Sequence, residues 1–161
     1  GTLTSATGYG VKWVQDVSGP VSFPSGVIVD SGSNGLGFLG DFSGTFTLVD
    51  ATILTHNANS AVRFYTISGS AAIAITGGHL TGRNRALETF QTSAGSSVTV
   101  SGAWMKGTFR HCAIFNYDQG GTISFTDVTC ASGTDVYDSL VINGAVLATA
   151  SFTFKIGRAH V

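Results

Sequence analysis

The chain has 161 residues, enough for one domain with a sizeable core, yet only 11% of them are charged while 43% are hydrophobic and 22 are glycine. A formal net charge of −1 gives no global steering toward nucleic acid or an anionic membrane. No apolar run reaches the roughly 18–20 residues of a bilayer-spanning helix, and no metal-ligand spacing, phosphate loop or Ser- or Cys-nucleophile motif is present, so no cofactor and no metal are expected.

Residues 1–20, with Tyr9, Trp13 and Pro20, read as a degenerate coil or a linker. The chain starts at Gly1 rather than Met and reads as a piece of something longer. From Val21 onward a unit of about 25 residues recurs. The rows 44-GTFTLVDATI-53, 71-AAIAITGGHL-80, 96-SSVTVSGAWM-105 and 121-GTISFTDVTC-130 superpose without gaps. Phe46, Ile73, Val98 and Ile123 form one column at steps of 27, 25 and 25, and Leu48, Ile75, Val100 and Phe125 form the next. One period back stand Val21 and Phe23, and one period forward the run 148-ATASFTF-154. A second ladder, Val62, Leu87, Ile114 and Val141, follows at steps of 25, 27 and 27, with 36-LGFLGDF-42 as its first member. Alternating strands that return to the same place each period, without helices, predict a solenoid of about five coils over residues 21–155.

The corner before each first strand is small: Ser43-Gly44, Gly69-Ser70, Gly95-Ser96 and Gly120-Gly121. Glycine there permits the positive φ that a sharp corner demands, and the corner after the strand carries Asp50, Gly77, Gly102 and Asp127, again turn formers. In register, Tyr65, Phe90 and Tyr117 form an aromatic stack, Asn116 sits above Asn143, and Arg63 above Glu88 makes a cross-strand pair if that column faces water. Cys112 and Cys130 fall in different columns and read as buried free thiols. The tail 156-IGRAHV-161 back-translates to the opening of a common sequencing adapter and reads as non-native, so Arg158 and His160 receive no role.

The segments joining first to second strands vary: 54-LTHNANS-60, 81-TGRNR-85, 106-KGTFRH-111 and 131-ASGTDVYDS-139. Stacked on one side, they converge on a lateral face with a basic middle and an acidic end, which is where a scaffold places binding residues. Arg83, Arg85, Lys106, Arg110, His111 and Tyr137 are the candidate glycan-binding residues, the arginines for anionic substituents and Tyr137, Phe109 or Trp104 for sugar rings. Glycosidic hydrolysis needs two carboxyls about 5–9.5 Å apart. The candidates are Asp135 with Asp138 in one loop, and Glu88 with Asp118 one coil apart. A lyase would use Arg85 or Arg110 with His111 as base.

The columns and Gly/Ser corners, as in 121-GTISFTDVTCASG-133, resemble the right-handed parallel β-helix superfamily of pectate-lyase-like enzymes, phage tailspikes and bacterial adhesins. The resemblance covers roughly residues 21–154 and implies an all-β, right-handed parallel β-helix. None of the pectinase-type catalytic motifs is present, so no catalytic residue carries over. Low charge without a catalytic signature looks most like part of a tailspike or tail fibre, which implies a homotrimer of the virion tail or cell surface that binds host polysaccharide. The alternatives are a polysaccharide lyase or glycosidase and a structural or adhesive repeat of a secreted bacterial surface protein. No nucleic-acid partner and no membrane insertion are expected.

Overall fold

The computed structural model describes residues 1–57, 59–132 and 140–156. Among them there are 17 strands and no helix, and every strand pairing is parallel. The strands wind as a parallel β-solenoid of about six turns.

The first turn holds β1 (Thr2–Ser5) and β2 (Val11–Trp13). The second holds β3 (Val21–Phe23), β4 (Ile28–Ser31) and β5 (Leu36–Phe42). The third is β6 (Thr45–Val49), β7 (Thr52–Thr55) and β8 (Ser60–Ile67), and the fourth β9 (Ala72–Thr76), β10 (His79–Gly82) and β11 (Arg85–Thr92). The fifth is β12 (Ser97–Ser101), β13 (Trp104–Gly107) and β14 (Ala113–Asn116). Then come the long β15 (Thr122–Ser132), β16 (Leu140–Asn143) and β17 (Ser151–Ile156). Three faces result. Face C stacks β3, β6, β9, β12, the first half of β15 and β17. Face A stacks β1, β4, β7, β10, β13 and the second half of β15. Face B stacks β2, β5, β8, β11, β14 and β16.

Residues 2–17 are therefore laddered onto the solenoid: β1 pairs with β4, β2 with β5, and Val17 bridges to Phe42. Each complete turn has three strands, one more than the two that the repeat columns resolve. The third strand, on face A, occupies residues that the repeat alone gives to the ends of the rows and the starts of the loops, such as Thr52–Thr55 and His79–Gly82. Its inward column of Val29, Ile53, Leu80 and Met105 is fully buried.

Face C follows the sequence columns without a slip. Phe46 pairs with Ile73, Ile73 with Val98, and Val98 with Ile123, while Leu48, Ile75, Val100 and Phe125 follow two residues on. These side chains are at most 4% exposed, so the interior is a continuous aliphatic and aromatic ladder. In the corner before face C only Gly69 and Gly95 of the glycines expected there take positive φ, whereas the turn formers of the corner after it all do. Asp50 (φ 42°), Gly77 (65°), Gly102 (61°) and Asp127 (52°) all adopt positive φ, and Gly26 (79°) extends the series backward. Aspartate tolerates this region better than most side chains.

Face B departs from the predicted ladder in one place. Val62 pairs with Leu87 and Ile114 with Val141, but Leu87 pairs with Ala113, one residue short of Ile114. The cause is the corner between β13 and β14: Leu87 and Ala86 both donate to the carbonyl of Cys112, which brings β14 in one residue early. Inside face B, Trp13, Phe38 and Phe64 stack at 4.2 and 4.6 Å, a core stack the repeat did not reveal. The two cysteines are joined, not free. Cys112, just before β14, and Cys130, in the face A half of β15, form a disulfide with Cα atoms 5.6 Å apart. Their columns differ because they line adjacent faces, and adjacent faces meet across the narrow interior.

Candidate functional site

The corner between faces A and B carries the densest group of polar and aromatic side chains. Gly82 and Gly107 pair in register where β10 and β13 end. A Cβ at Gly82 would strike the Arg85 carbonyl, and one at Gly107 the carbonyl of His111, so the chain can turn this tightly only with glycine there. The loop backbones continue the coil-to-coil ladder: Thr108 donates to Gly82 O at 2.9 Å and Phe109 to Arg83 O at 2.8 Å. The expected stacking of these loops on one side therefore holds for the described residues.

The 83–85 turn sends its two arginines to opposite flanks. On the face A flank, Arg83 donates from Nη1 to the His56 carbonyl at 3.1 Å, and its guanidinium lies 4.7 Å from the ring centre of Phe109. Its backbone N–H is held by Thr55 Oγ1 at 3.1 Å. Leu54, Thr55, His56, Thr81, Arg83, Thr108 and Phe109 line an open depression of about 310 Å³. Phe109 is 37% exposed there. At its rim His56 Nε2 lies 2.6 Å from Asp30 Oδ1. The floor is apolar and the walls carry hydroxyls, an imidazole and a guanidinium drawn from three successive turns.

On the face B flank, Arg85 Nη1 donates to Glu88 Oε1 at 2.9 Å and Ser60 Oγ donates to Glu88 Oε2 at 2.8 Å. Arg63 Nε lies 3.4 Å from the same Oε2. The Glu88 side chain is only 5% exposed and both arginines 17%, so the Arg63–Glu88 pair is a buried network and not a water-facing one. Burial pulls the Arg85 guanidinium below its ordinary pKa; Glu88 opposes this, and the like charges of Arg110 and Arg63 add to it. Beside the network Tyr65 and Phe90 stack at 4.7 Å with planes 8° apart, and Phe90 contacts Tyr117 at 5.7 Å. Arg63 borders both of the first two rings, at 4.7 and 4.8 Å from their centres, and donates to the Tyr65 hydroxyl at 3.3 Å. Because stacked rings cover each other's faces, this ladder offers edges to a ligand and serves mainly as packing.

The structure thus divides the predicted residues. Arg83 belongs to the depression and Arg85 to the Glu88 network; Arg110 is exposed and bears on Arg85 only through its charge, and Lys106 belongs to neither group. Lys106 stands in β13 on the outer surface of face A, in register with Thr81. His111 closes the corner through its backbone. The backbones of Glu88 and Asp118 stand apart along the face B ladder. Glu88 registers with Ile114, four residues before Asp118, which corresponds to roughly 13 Å along a strand. Asp135, Tyr137 and Asp138 lie outside the described residues. No cluster of three or more His, Cys, Asp or Glu side chains suited to a metal occurs among the described residues. The residue that sequence reasoning left out of the site is Arg63; its alignment with Glu88 was visible, but its placement in a strand rather than a loop hid its role. Comparison of the chain with protein-family models, with curated proteins and with solved structures finds no match.

Proposed function

We propose that this solenoid recognises polysaccharide at the corner between faces A and B, as part of a homotrimeric phage tailspike or tail fibre or of a secreted surface protein. The observation that carries the reading is the depression around Phe109. A sugar presents an apolar C–H surface ringed by hydroxyls. The depression offers a half-exposed aromatic ring and Leu54 for the first, and Thr55, Thr81, Thr108, His56 and Arg83 for the second. Its parts come from three turns tied by the β-ladder, so little ordering entropy is lost when a stiff polymer lies along them. Recognition without cleavage is favoured because Glu88 is buried and committed to three partners.

Between the two settings, the Cys112–Cys130 disulfide favours the secreted one, since disulfides persist in oxidising compartments and are rare in the cytosol where virion parts are made. The test is retention of the purified chain on immobilised bacterial capsular and O-antigen polysaccharides, neutral and acidic. Saturable binding to at least one of them is expected, weakened roughly tenfold or more by Phe109→Ala, as loss of a central aromatic anchor would do. The glycan's size distribution should not change. Shortened chains would establish a depolymerase instead, and retention on none of the polymers would refute the reading.

A further inference from the structure

We infer that the outer surface of face B holds a second site, selective for an oxyanion (a carboxylate or sulfate group), formed by Arg63 and Arg85 with Arg110 at its margin. This does not rest on the glycan reading above, and the site lies on the other flank of the corner. Two guanidiniums meet one carboxylate here, and the charge of a third, Arg110, bears on them from the margin. Glu88 pairs with Arg63 and Arg85, and the charges of Arg63 and Arg110 both bear on Arg85. Among the described residues the group therefore keeps two positive charges beyond what Glu88 cancels. In a site where the Arg63 and Arg85 side chains are 17% exposed, such an excess is poorly screened by water.

The hydrogen-bond inventory points the same way. The Nε–H groups of Arg63 and Arg85 are buried, and neither has an acceptor among the described residues. Arg63 Nε is near Glu88 Oε2, but 3.4 Å is too long for the charge-assisted bond its position implies. Each orphaned donor is costly in a folded protein. The Nε–H and neighbouring Nη–H of an arginine form the fork that matches the two oxygens of a carboxylate or sulfate. A small rotation of either side chain would turn that fork toward a bound anion. Glu88 is then a positioning residue: with Ser60 it fixes the two guanidiniums so that their unused donors stay together. The Tyr65–Phe90 stack, which borders Arg63, restricts the side chain from the other side.

The experiment is an NMR titration of the arginine Nε–Hε resonances of the full chain at low ionic strength, with sodium glucuronate and sodium sulfate as separate probes. Sodium chloride at equal ionic strength and neutral methyl glucuronate ester are the controls. Saturable shifts of the Arg63 and Arg85 signals are expected with at least one oxyanion and not with the controls, and the comparison of the two probes tells a carboxylate site from a sulfate site. Arg110→Ser, an exposed position that holds no part of the Glu88 network, should weaken the apparent affinity at least threefold while leaving the spectrum of the fold intact. Shifts reproduced by chloride, the absence of saturation with both oxyanions, or unchanged affinity in Arg110→Ser would each overturn the inference.

Discussion

Faces C and B are built by the same chain at the same pitch, yet they differ in almost every chemical respect. The outer surface of face C from β6 through β12 and into β15 carries Thr, Ser, Ala and Val, among them Thr47, Ala74, Thr99 and Ser124 in one column, and no charge appears until Lys155 in β17. Its inner surface is an unbroken hydrophobic ladder. Face B instead carries Lys12, Arg63, Arg85, Glu88 and the Tyr65–Phe90 stack outside, its β11–β14 pairing is offset by one residue from the repeat columns, and its β5–β8 pairing shifts register between Phe38 and Asp41. The difference teaches how a solenoid divides labour. One face supplies stability through repetition. The face beside the variable corner gives up regularity and gains a place to put charge.

The comparison can be broken hardest on face C. Ile75→Asp places an uncompensated carboxylate in the ladder, where Ile75 is 1% exposed and pairs with Leu48 and Val100. A loss of about 4–5 kcal/mol is expected, read as a collapse of the urea midpoint followed by far-UV circular dichroism. A variant with a near-native midpoint would mean that this column does not face the core. A smaller effect should come from face B, where β14 is offset by one residue from the repeat columns. Cys112→Ser with Cys130→Ser removes a crosslink spanning 18 residues, which should cost about 3 kcal/mol and lower the melting temperature by roughly 6–12 °C. Reactive thiols in the unreduced, unfolded wild-type protein would contradict the crosslink directly.

What the sequence revealed follows the same division. On face C every inward position is apolar and the corners fall at fixed offsets, so counting columns yields both the strands and their register and marks Asp50, Gly77, Gly102 and Asp127 as turn residues, while their positive φ appears only in the structure. The face A strand was missed because it is only four residues long in each turn and merges with the variable loops. Its buried column of Ile53, Leu80 and Met105 was present but not separated from the strand before it. On face B the loop lengths change from turn to turn, and counting cannot say on which side of the corner an extra residue is absorbed. Equal spacing therefore sets Ile114 against Leu87 where the structure pairs Ala113, and a common loop holds Arg83 and Arg85 although the turn sends them to opposite flanks. The disulfide was illegible because the two cysteines approach across the interior, a relation that no column records.

The central claim is that recognition belongs to the A–B corner while face C is scaffold. Hydrogen–deuterium exchange of the chain, alone and saturated with the polysaccharide it retains best, tests this most directly. Added protection over Thr81–Arg85 and Lys106–His111, with exchange over Thr45–Val49 and Ser97–Ser101 unchanged, is the predicted result. Protection confined to the outer strands of face C, with the corner unaffected, would contradict it.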